Sequence, residues 1–215
     1  NGSKSYSKER IEIFDSNKLA ERGVSNVDLF ISTYKTQNER LWDLYRKDEI
    51  DKEYLRTSRF QFTLEEFGIE DKDLADILGN QYISICPLKT HLFPATLETL
   101  NYLKDKYNLH IITNGFEEVQ YIKLEQSNLL HFFDQIITSE QVGCKKPNSK
   151  IFTHALVKVF AQPHECLMIG DDLPVDILGA KNVGIDQLYF NPNKEEHSEN
   201  LTFEVNSLKE LQEIL

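Results

Sequence analysis

The sequence is poor in cysteine and in long apolar runs, and each shortage excludes a class of protein. Its three cysteines, Cys86, Cys144 and Cys166, stand far apart and form no CxxC pair. They are too few for the disulfide framework of a small secreted domain. No apolar run approaches the roughly 20 residues that a membrane-spanning helix needs. We therefore expect a soluble protein of the reducing cytoplasm with no membrane partner.

Positive charge is also scarce. The chain has 24 lysines and arginines against 35 aspartates and glutamates, which gives a formal net charge of −11. Such a chain as a whole repels the phosphate backbone of nucleic acids. A small anionic substrate remains compatible, because a few cations or a bound metal can reverse the sign of the potential inside a pocket. With 215 residues, the chain has room for one main core and a smaller accessory part.

The first part of the chain, from about residue 5 to residue 85, has only helical periodicity. Apolar residues recur at intervals of three and four, as in Leu41, Leu44 and Tyr45, and we predict no strand here. Glycine and polar residues interrupt the pattern at Arg22-Gly23, near Asp48, at residues 68–71 and at Gly79. These breaks predict about four helices joined by short turns. We take residues 1–86 as a helical domain.

From residue 87 onward, short apolar runs alternate with helix-length segments. The runs are residues 109–115, 133–139, 166–170 and 186–191. Strands joined by crossover helices form a parallel sheet covered on both faces. We therefore predict that residues 87–215 form a three-layer α/β/α domain, and that the chain as a whole is of the α/β class. Ligands of such sheets bind beyond the carboxyl ends of the strands, so the residues after each run are the candidates for chemistry.

Two of these strand exits carry groups that suit a phosphate. The first run ends in Thr113-Asn114-Gly115, where a hydroxyl, an amide and a turn glycine could surround a phosphate oxygen. The same residues are also common in ordinary strand-to-helix turns. After the second run, Lys145 and Lys146 precede Pro147. A lysine held there would neutralise a phosphate, although a solvated surface pair is the usual state of lysines.

The third exit, Gly170-Asp171-Asp172 with Asp176 shortly after, is acidic. Three carboxylates this close repel one another unless a cation neutralises them, and oxygen ligands of this kind suit Mg²⁺. The alternative is an acidic helix start, in which Asp172 caps the helix and Pro174 occupies its first turn. Capping uses one aspartate and leaves Asp171 and Asp176 for a metal.

These segments, taken in order, resemble a known family. TNG at 113–115, VGCKKPNSKIF at 142–152 and MIGDDLPVDILGA at 168–180 closely resemble the second, third and fourth motifs of the haloacid dehalogenase (HAD) superfamily. The helical region resembles the C1 cap that its first subclass inserts between motifs one and two. The TNGF step and the NERLW and LRTSRF runs are most similar to the YjjG-type branch of pyrimidine 5′-nucleotidases.

The resemblance implies a HAD-like Rossmannoid sheet with a helical cap, and an Mg²⁺-dependent phosphatase acting on a small phosphorylated metabolite. Nucleoside monophosphates are the first substrates it suggests. It also implies roles for individual residues. Thr113 and Asn114 would bind the transferring phosphoryl group, and Lys146 would bridge phosphate and nucleophile. Asp171 would ligate Mg²⁺ and Asp176 would support the metal shell. The role of Asp172 stays open, because relatives often carry Ser, Thr or Asn there.

In capped relatives the cap selects the substrate. Here the candidate side chains are Asn38, Trp42, Arg46, Arg56 and Arg59, and we favour Asn38, Trp42 and Arg59. An exposed tryptophan could stack on a base, and an arginine could pair with an anionic group. The alternative is that Trp42 packs with its apolar neighbours inside the cap.

One family motif is absent from the sequence. The first motif, an apolar strand followed by D-x-D-x-T, supplies the aspartyl nucleophile and the general acid/base. Phe14-Asp15-Ser16-Asn17 does not replace it, because it lacks the second aspartate and stands in a helical context. We hypothesise that the native protein has roughly 10 to 20 more residues upstream, which carry this motif, because two central strands would otherwise have unpaired backbone groups. Other functions stay open: a phosphomutase, a haloacid dehalogenase, or a non-catalytic binding protein if the motif is truly lacking.

Overall fold

The structure, a computed structural model, describes the backbone of residues 16–215 and the side chains of residues 19–215. The chain divides into two compact units, Asn1–Lys89 and Thr90–Leu215. The beginning of the predicted helical region, residues 5–15, lies outside the described residues. Phe14 and Asp15 lie outside them as well.

The described part of the first unit is helical. Its helices, followed by a short 3₁₀ turn at Cys86–Leu88, are α1 (Ser16–Glu21), α2 (Val27–Arg46), α3 (Lys52–Glu65) and α4 (Lys72–Ile85). The residues before α2, α3 and α4 are Asn26, Asp51 and Asp71, and each side chain accepts a hydrogen bond from a backbone N–H of the first turn. These caps satisfy donors that the helix itself leaves unpaired. No described helix is long and apolar enough to cross a membrane.

Three of the four predicted breaks fall between helices. At these places Gly23, Asp48 and Gly68 take positive φ angles of 94°, 59° and 73°. The core of this unit is built from residues of all four helices that recur on their inner faces. They include Leu19, Phe30, Tyr34, Phe60, Leu64, Leu74 and Leu78.

The fourth predicted break, at Gly79, is wrong. Gly79 lies inside α4, where a Cβ atom would stand 3.2 Å from the carbonyl oxygen of Arg56 and 3.7 Å from the ring of Phe60. The glycine lets α4 approach α3 closely. The packing gained in this way outweighs the preference of glycine for non-helical backbone, which is worth only about 1 kcal/mol.

The second unit contains parallel strands, most of which are joined by helical segments, and this confirms the α/β class. The strands are β1 (His110–Thr113), β2 (Gln135–Thr138), β3 (Leu167–Gly170), β4 (Asp186–Phe190) and β5 (Phe203–Val205). The main helices are α5 (Thr96–Lys104), α6 (Glu117–Gln126), α7 (Ser139–Val142), α8 (Ser149–Lys158), α9 (Leu178–Lys181) and α10 (Leu211–Ile214). Strands β1 to β4 lie inside the four predicted runs. Strand β5 is not predicted, because it has three residues, of which only Val205 is buried, and it exists only through its pairing with β4.

The described strands form two separate ladders, β1–β2 and β3–β4–β5, and every pairing in them is parallel. Strands β1 and β3 therefore have one described partner each. Their residues are only partly buried: Ile169 of β3 is 37% exposed, whereas Leu188 of β4 is fully buried. Both ladders pack against Phe152 of α8 in one apolar cluster.

Candidate active site

The side chain of Lys146 connects the ends of the two ladders. Its Nζ donates a hydrogen bond of 2.8 Å to the carbonyl oxygen of Ile112 in β1. The same atom forms an ion pair of 2.6 Å with Oδ1 of Asp176, which follows β3. Lys146 is only 7% exposed, so the surface location that is usual for lysine does not apply. A buried ammonium group beside strand ends is a fixed positive charge in a region of low dielectric.

Asp176 lies directly against the end of β3. A Cβ atom on Gly170 would stand 2.5 Å from the Cβ of Asp176, closer than any real contact of this type. Gly170 is therefore required for Asp176 to reach Lys146. Asp176 itself belongs to a five-residue π-helical turn, Leu173–Ile177, that starts after Asp172.

The side chains of Thr113 and Asn114, at the end of β1, form different hydrogen bonds. The Oγ1 of Thr113 accepts a hydrogen bond of 2.9 Å from the backbone N–H of Gly115, which leaves its own O–H able to donate. The side chain of Asn114 instead binds the backbone of Lys146: Oδ1 accepts from its N–H at 2.8 Å, and Nδ2 donates to its carbonyl oxygen at 2.9 Å. The structure therefore brings Thr113, Asn114, Lys146 and Asp176 into one connected group.

The three predicted acidic residues have separate roles in the fold. Asp172 caps the turn that follows it, since its Oδ1 accepts a hydrogen bond of 3.0 Å from the N–H of Val175. Pro174 stands in the first turn, as the capping alternative predicts. Asp176 is paired with Lys146. Asp171 is exposed, and the structure describes no hydrogen bond or ion pair of its carboxylate.

These carboxylates do not form a closed metal site. Within residues that the structure describes, no group of three or more His, Cys, Asp or Glu side chains is arranged to hold a metal. Mg²⁺ does not need a closed protein cage, because it keeps several waters and takes one or two carboxylates together with substrate oxygens. The free carboxylate of Asp171 suits that kind of binding.

Two strand exits contain buried polar groups that the sequence reasoning missed. After β2, Ser139 is 3% exposed, and its Oγ has no hydrogen-bond partner among described residues. After β4, Asn191 is 2% exposed and orders the following loop through Nδ2, which donates to the carbonyl oxygen of Glu195 and to Oε1 of Glu204. The signal was present, because both residues directly follow an apolar run.

The electrostatic potential at the end of β4 is negative. Tyr189 pairs in register with Gly170. Burial raises the pKa of its phenol first, and the carboxylates of Glu195, Glu204, Asp171 and Asp172 raise this pKa further. A negative potential of this kind favours a cation at the same edge of the sheet and opposes an unaccompanied phosphate.

In the helical unit, two of the candidate substrate residues are in contact. Arg59 of α3 is 3% exposed, and its Nη1 donates a long hydrogen bond of 3.4 Å to Oδ1 of Asn38. Its guanidinium carbon lies 4.5 Å from the ring centre of Tyr82, while its Nε is buried with no partner in the described chain. Trp42, one helical turn beyond Asn38, packs edge-on against Tyr45 at 5.5 Å. Trp42 therefore has the packing contact that the alternative predicted.

Of the other two arginines, Arg46 pairs with Asp43, its neighbour on α2. Arg56 donates a hydrogen bond of 2.8 Å to Oδ1 of Asn80. Both side chains therefore have partners at the surface of the unit.

A parallel sheet with polar groups at its carboxyl edge is the architecture of α/β enzymes that bind small substrates there. Comparison with known proteins defines the family. The model of the haloacid dehalogenase-like hydrolases matches residues 24–190. The chain therefore belongs to the haloacid dehalogenase-like hydrolase family, and the predicted resemblance is confirmed.

Individual relatives match this chain over most of their own length. Pyrimidine 5′-nucleotidase YjjG of Escherichia coli is 35% identical over 187 residues, which are 85% of this chain and 80% of that protein. A glyceraldehyde 3-phosphate phosphatase of Methanothermobacter thermautotrophicus is 34% identical over 81% of this chain and 77% of its own. Among solved structures, the HAD-hydrolase YfnB of Bacillus subtilis, bound to magnesium, has a TM-score of 0.83 at 27% identity and covers 91% of this chain and 86% of its own.

Proposed function

We propose that this haloacid dehalogenase-like phosphatase is Mg²⁺-dependent and hydrolyses small phosphomonoesters, with nucleoside monophosphates first, through an aspartyl-phosphate intermediate. The observation that carries the proposal is the buried ion pair of 2.6 Å between Lys146 and Asp176 at the sheet edge that also holds Thr113. Fixed positive charge and hydrogen-bond donors at such a position stabilise the charge that develops on phosphoryl oxygens.

Lys146 and Thr113 would bind the phosphoryl group directly. An ammonium group has three N–H donors, and the contacts of Lys146 Nζ to Ile112 and Asp176 use two of them. The third is available for a phosphoryl oxygen. The hydroxyl of Thr113 is oriented by the N–H of Gly115, so its own proton can be donated to the same group.

Asp171 would be the direct protein ligand of Mg²⁺. When bound, the ion supplies positive charge that polarises the phosphoryl oxygens and neutralises the acidic surroundings. Asp176 would act indirectly, because its Oδ1 is held by Lys146, and Asp172 would keep its capping role. The relative YfnB is itself bound to magnesium, which supports the choice of metal.

The nucleophile would come from an extended segment that pairs with the edges of β1 and β3 for which no partner strand is described. We propose that the full-length protein carries a D-x-D-x-T motif there. Its first aspartate attacks phosphorus and the P–O bond to the alcohol breaks, while the second aspartate protonates the departing oxygen. Water then attacks the aspartyl phosphate and releases inorganic phosphate, with the second aspartate accepting the water's proton. Lys146 and Thr113 hold the phosphoryl oxygens in both steps.

The part of the substrate beyond the phosphate would contact Asn38, Trp42 and Arg59. The relatives include a pyrimidine 5′-nucleotidase and a sugar-phosphate phosphatase, and both act on small phosphorylated molecules. We place nucleoside monophosphates first because the nucleotidase is similar over more of this chain.

Phosphate release by the full-length protein tests the proposal. The substrates are UMP, CMP, AMP, glyceraldehyde 3-phosphate and an aryl phosphate, each with Mg²⁺ and with EDTA. We expect hydrolysis that EDTA abolishes and that Asp171→Asn lowers strongly. The matched control is Asp186→Asn, which changes an aspartate at the amino end of β4 that accepts a hydrogen bond from Thr202.

Other outcomes would contradict the proposal. Metal-independent release of halide from a 2-haloacid would indicate a dehalogenase, and transfer of phosphate to a second sugar position without release would indicate a mutase. A full-length protein that has no D-x-D motif and hydrolyses none of these substrates would be a binding protein.

The compartment proposed for this activity is the reducing cytoplasm. Cys86, Cys144 and Cys166 are all free thiols in the structure, which is consistent with that environment. Thiol counting on protein isolated under non-reducing conditions would test it, and a disulfide-linked form in cells would contradict it.

A further inference from the structure

The side chain of Asn114 forms an unusual contact with the backbone of Lys146. Its Oδ1 accepts from the N–H of Lys146 at 2.8 Å, and its Nδ2 donates to the carbonyl oxygen of the same residue at 2.9 Å. One amide side chain thus pairs with both backbone groups of a single residue, much as a neighbouring strand would. Both bonds are within the normal range for such contacts. This pair of bonds, which we call the Asn114 clamp, fixes where the side chain of Lys146 begins.

The other end of Lys146 is held by the same segment of β1. Its Nζ donates to the carbonyl oxygen of Ile112 at 2.8 Å and pairs with Asp176 at 2.6 Å. Ile112 and Asn114 are two residues apart, so the backbone and the tip of the lysine are both attached to one strand end. A long side chain held at both ends loses its rotamer freedom when the protein folds, and no ordering remains to be done when a substrate binds.

We propose that Asn114 is a positioning residue for the phosphoryl-transfer site: its amide orders Lys146, so that the ammonium group is presented to the phosphoryl oxygens in one geometry. This inference rests on the proposed function and changes the role expected for Asn114, because the resemblance assigned its side chain to the phosphate. The amide oxygen and one N–H are used by the clamp. Only the second Nδ2 hydrogen could reach a substrate, and that direct role is the competing explanation.

The reactivity of the Lys146 amine tests the clamp without reference to activity. Full-length protein is labelled with a limiting amount of an amine-acylating reagent, and the rate at each lysine is read by peptide mass spectrometry. Exposed Lys158, at the end of α8, is the internal reference. We expect slow labelling of Lys146 in the wild type and a labelling rate roughly 10- to 100-fold higher in Asn114→Ala. The reason is that the loss of two hydrogen bonds makes local opening of the structure around Lys146 more favourable by about this factor.

The matched control is Asn148→Ala. Asn148 lies in the same loop, its side chain caps α8 through the N–H of Lys150 at 3.0 Å, and no hydrogen bond of this side chain to Lys146 is described. Its loss should leave the labelling of Lys146 unchanged. If Asn114→Ala does not fold, Asn114→Ser and Asn114→Asp are used instead, and cooperative thermal unfolding shows that the variant is native. Unchanged labelling of Lys146 in a folded Asn114 variant overturns the clamp.

A double-mutant cycle separates positioning from direct binding. Phosphate release is measured for the wild type, Asn114→Ala, Lys146→Met and the double variant. If Asn114 acts through Lys146, its replacement lowers kcat by about 10- to 100-fold in the wild type and has almost no effect once Lys146 is gone. An equal loss in both backgrounds means that Asn114 binds the phosphate itself and refutes positioning. An inactive wild type would refute the proposed function alone, because the labelling result stands independently.

Discussion

Replacing Gly170 by alanine is the most direct test of the site's geometry. The new Cβ would lie 2.5 Å from the Cβ of Asp176, 2.6 Å from its Oδ2 and 2.9 Å from its Cγ. Non-bonded carbon atoms normally stay about 3.5 Å apart, so the end of β3 and Asp176 must separate by roughly 1 Å. The nearest atom is a Cβ, and it cannot move away by a rotation of the side chain. The backbone of the turn must therefore shift.

The expected change in the free energy of unfolding has three contributions. Forcing an extra methyl group into a packed site destabilises by about 1–3 kcal/mol. The shift also weakens the buried pair of Asp176 with Lys146, whose side chains are 10% and 9% exposed. Gly170 is not among the residues with positive φ, so alanine fits the backbone and recovers about 0.4–1 kcal/mol through the unfolded chain. We expect a net loss of about 2–3 kcal/mol and, because a misplacement of this size is costly in catalysis, a fall in activity of about 100-fold.

Urea unfolding and phosphate release by the full-length protein measure the two effects. Gly143→Ala is the matched control, because there alanine strains the backbone but meets no neighbouring atom. Gly143 has a φ of 72°, and no atom lies within 4 Å of an added Cβ, so alanine there is strained by about 1 kcal/mol but displaces nothing. It should leave hydrolysis near the wild-type rate. A Gly170→Ala protein that is within about 0.5 kcal/mol of the wild type and hydrolyses substrate normally would refute the reasoning.

Three further predictions concern charge. Lys146→Met leaves the carboxylate of Asp176 buried without its partner and should lower the free energy of unfolding by about 3–5 kcal/mol, whereas adding Asp176→Leu should restore most of it; equal losses in the two proteins would contradict the buried pair. Burial lowers the pKa of His110 below its usual 6.5, so as the pH falls through 6.5 the unfolded chain takes up the proton before the folded one and stability decreases. Titrating the unfolding free energy of the wild type and His110→Leu from pH 8 to 5 checks this, and identical slopes would rule it out. Arg59→Met should raise KM for a nucleoside monophosphate by about tenfold with little change in KM for an aryl phosphate. Arg40→Met, which removes an exposed arginine of α2, should change neither KM. If the ratio of the two KM values is the same in Arg59→Met as in the wild type, Arg59 does not contact the base or sugar.

Much of the fold could be predicted because it depends on local patterns. Strands β1 to β4 fall inside apolar runs of strand length, and the residues after them are polar. The capping role of Asp172 was readable from its place before Pro174, since a cap depends only on the residues of its own turn. The positions of Thr113 and Asp171 at strand ends follow from the same alternation of strands and helices.

The features that could not be predicted depend on residues far apart in the chain. A glycine in a helical segment usually marks a break, and only the approach of α4 to α3 shows why Gly79 stands inside a helix. Strand β5 is too short to have a pattern of its own, so its pairing with β4 defines it.

The sequence by itself determined which residues stand at the carboxyl ends of the strands, because hydrophobic periodicity and turn residues act over a few positions. Tertiary structure decided what those residues do. The amide of Asn114 lies against the backbone of Lys146, 32 residues away, and Asp176 is held by the same lysine rather than by its acidic neighbours. Hydrogen bonds and ion pairs of this kind are set by distances between elements, and those distances exist only after the core has packed.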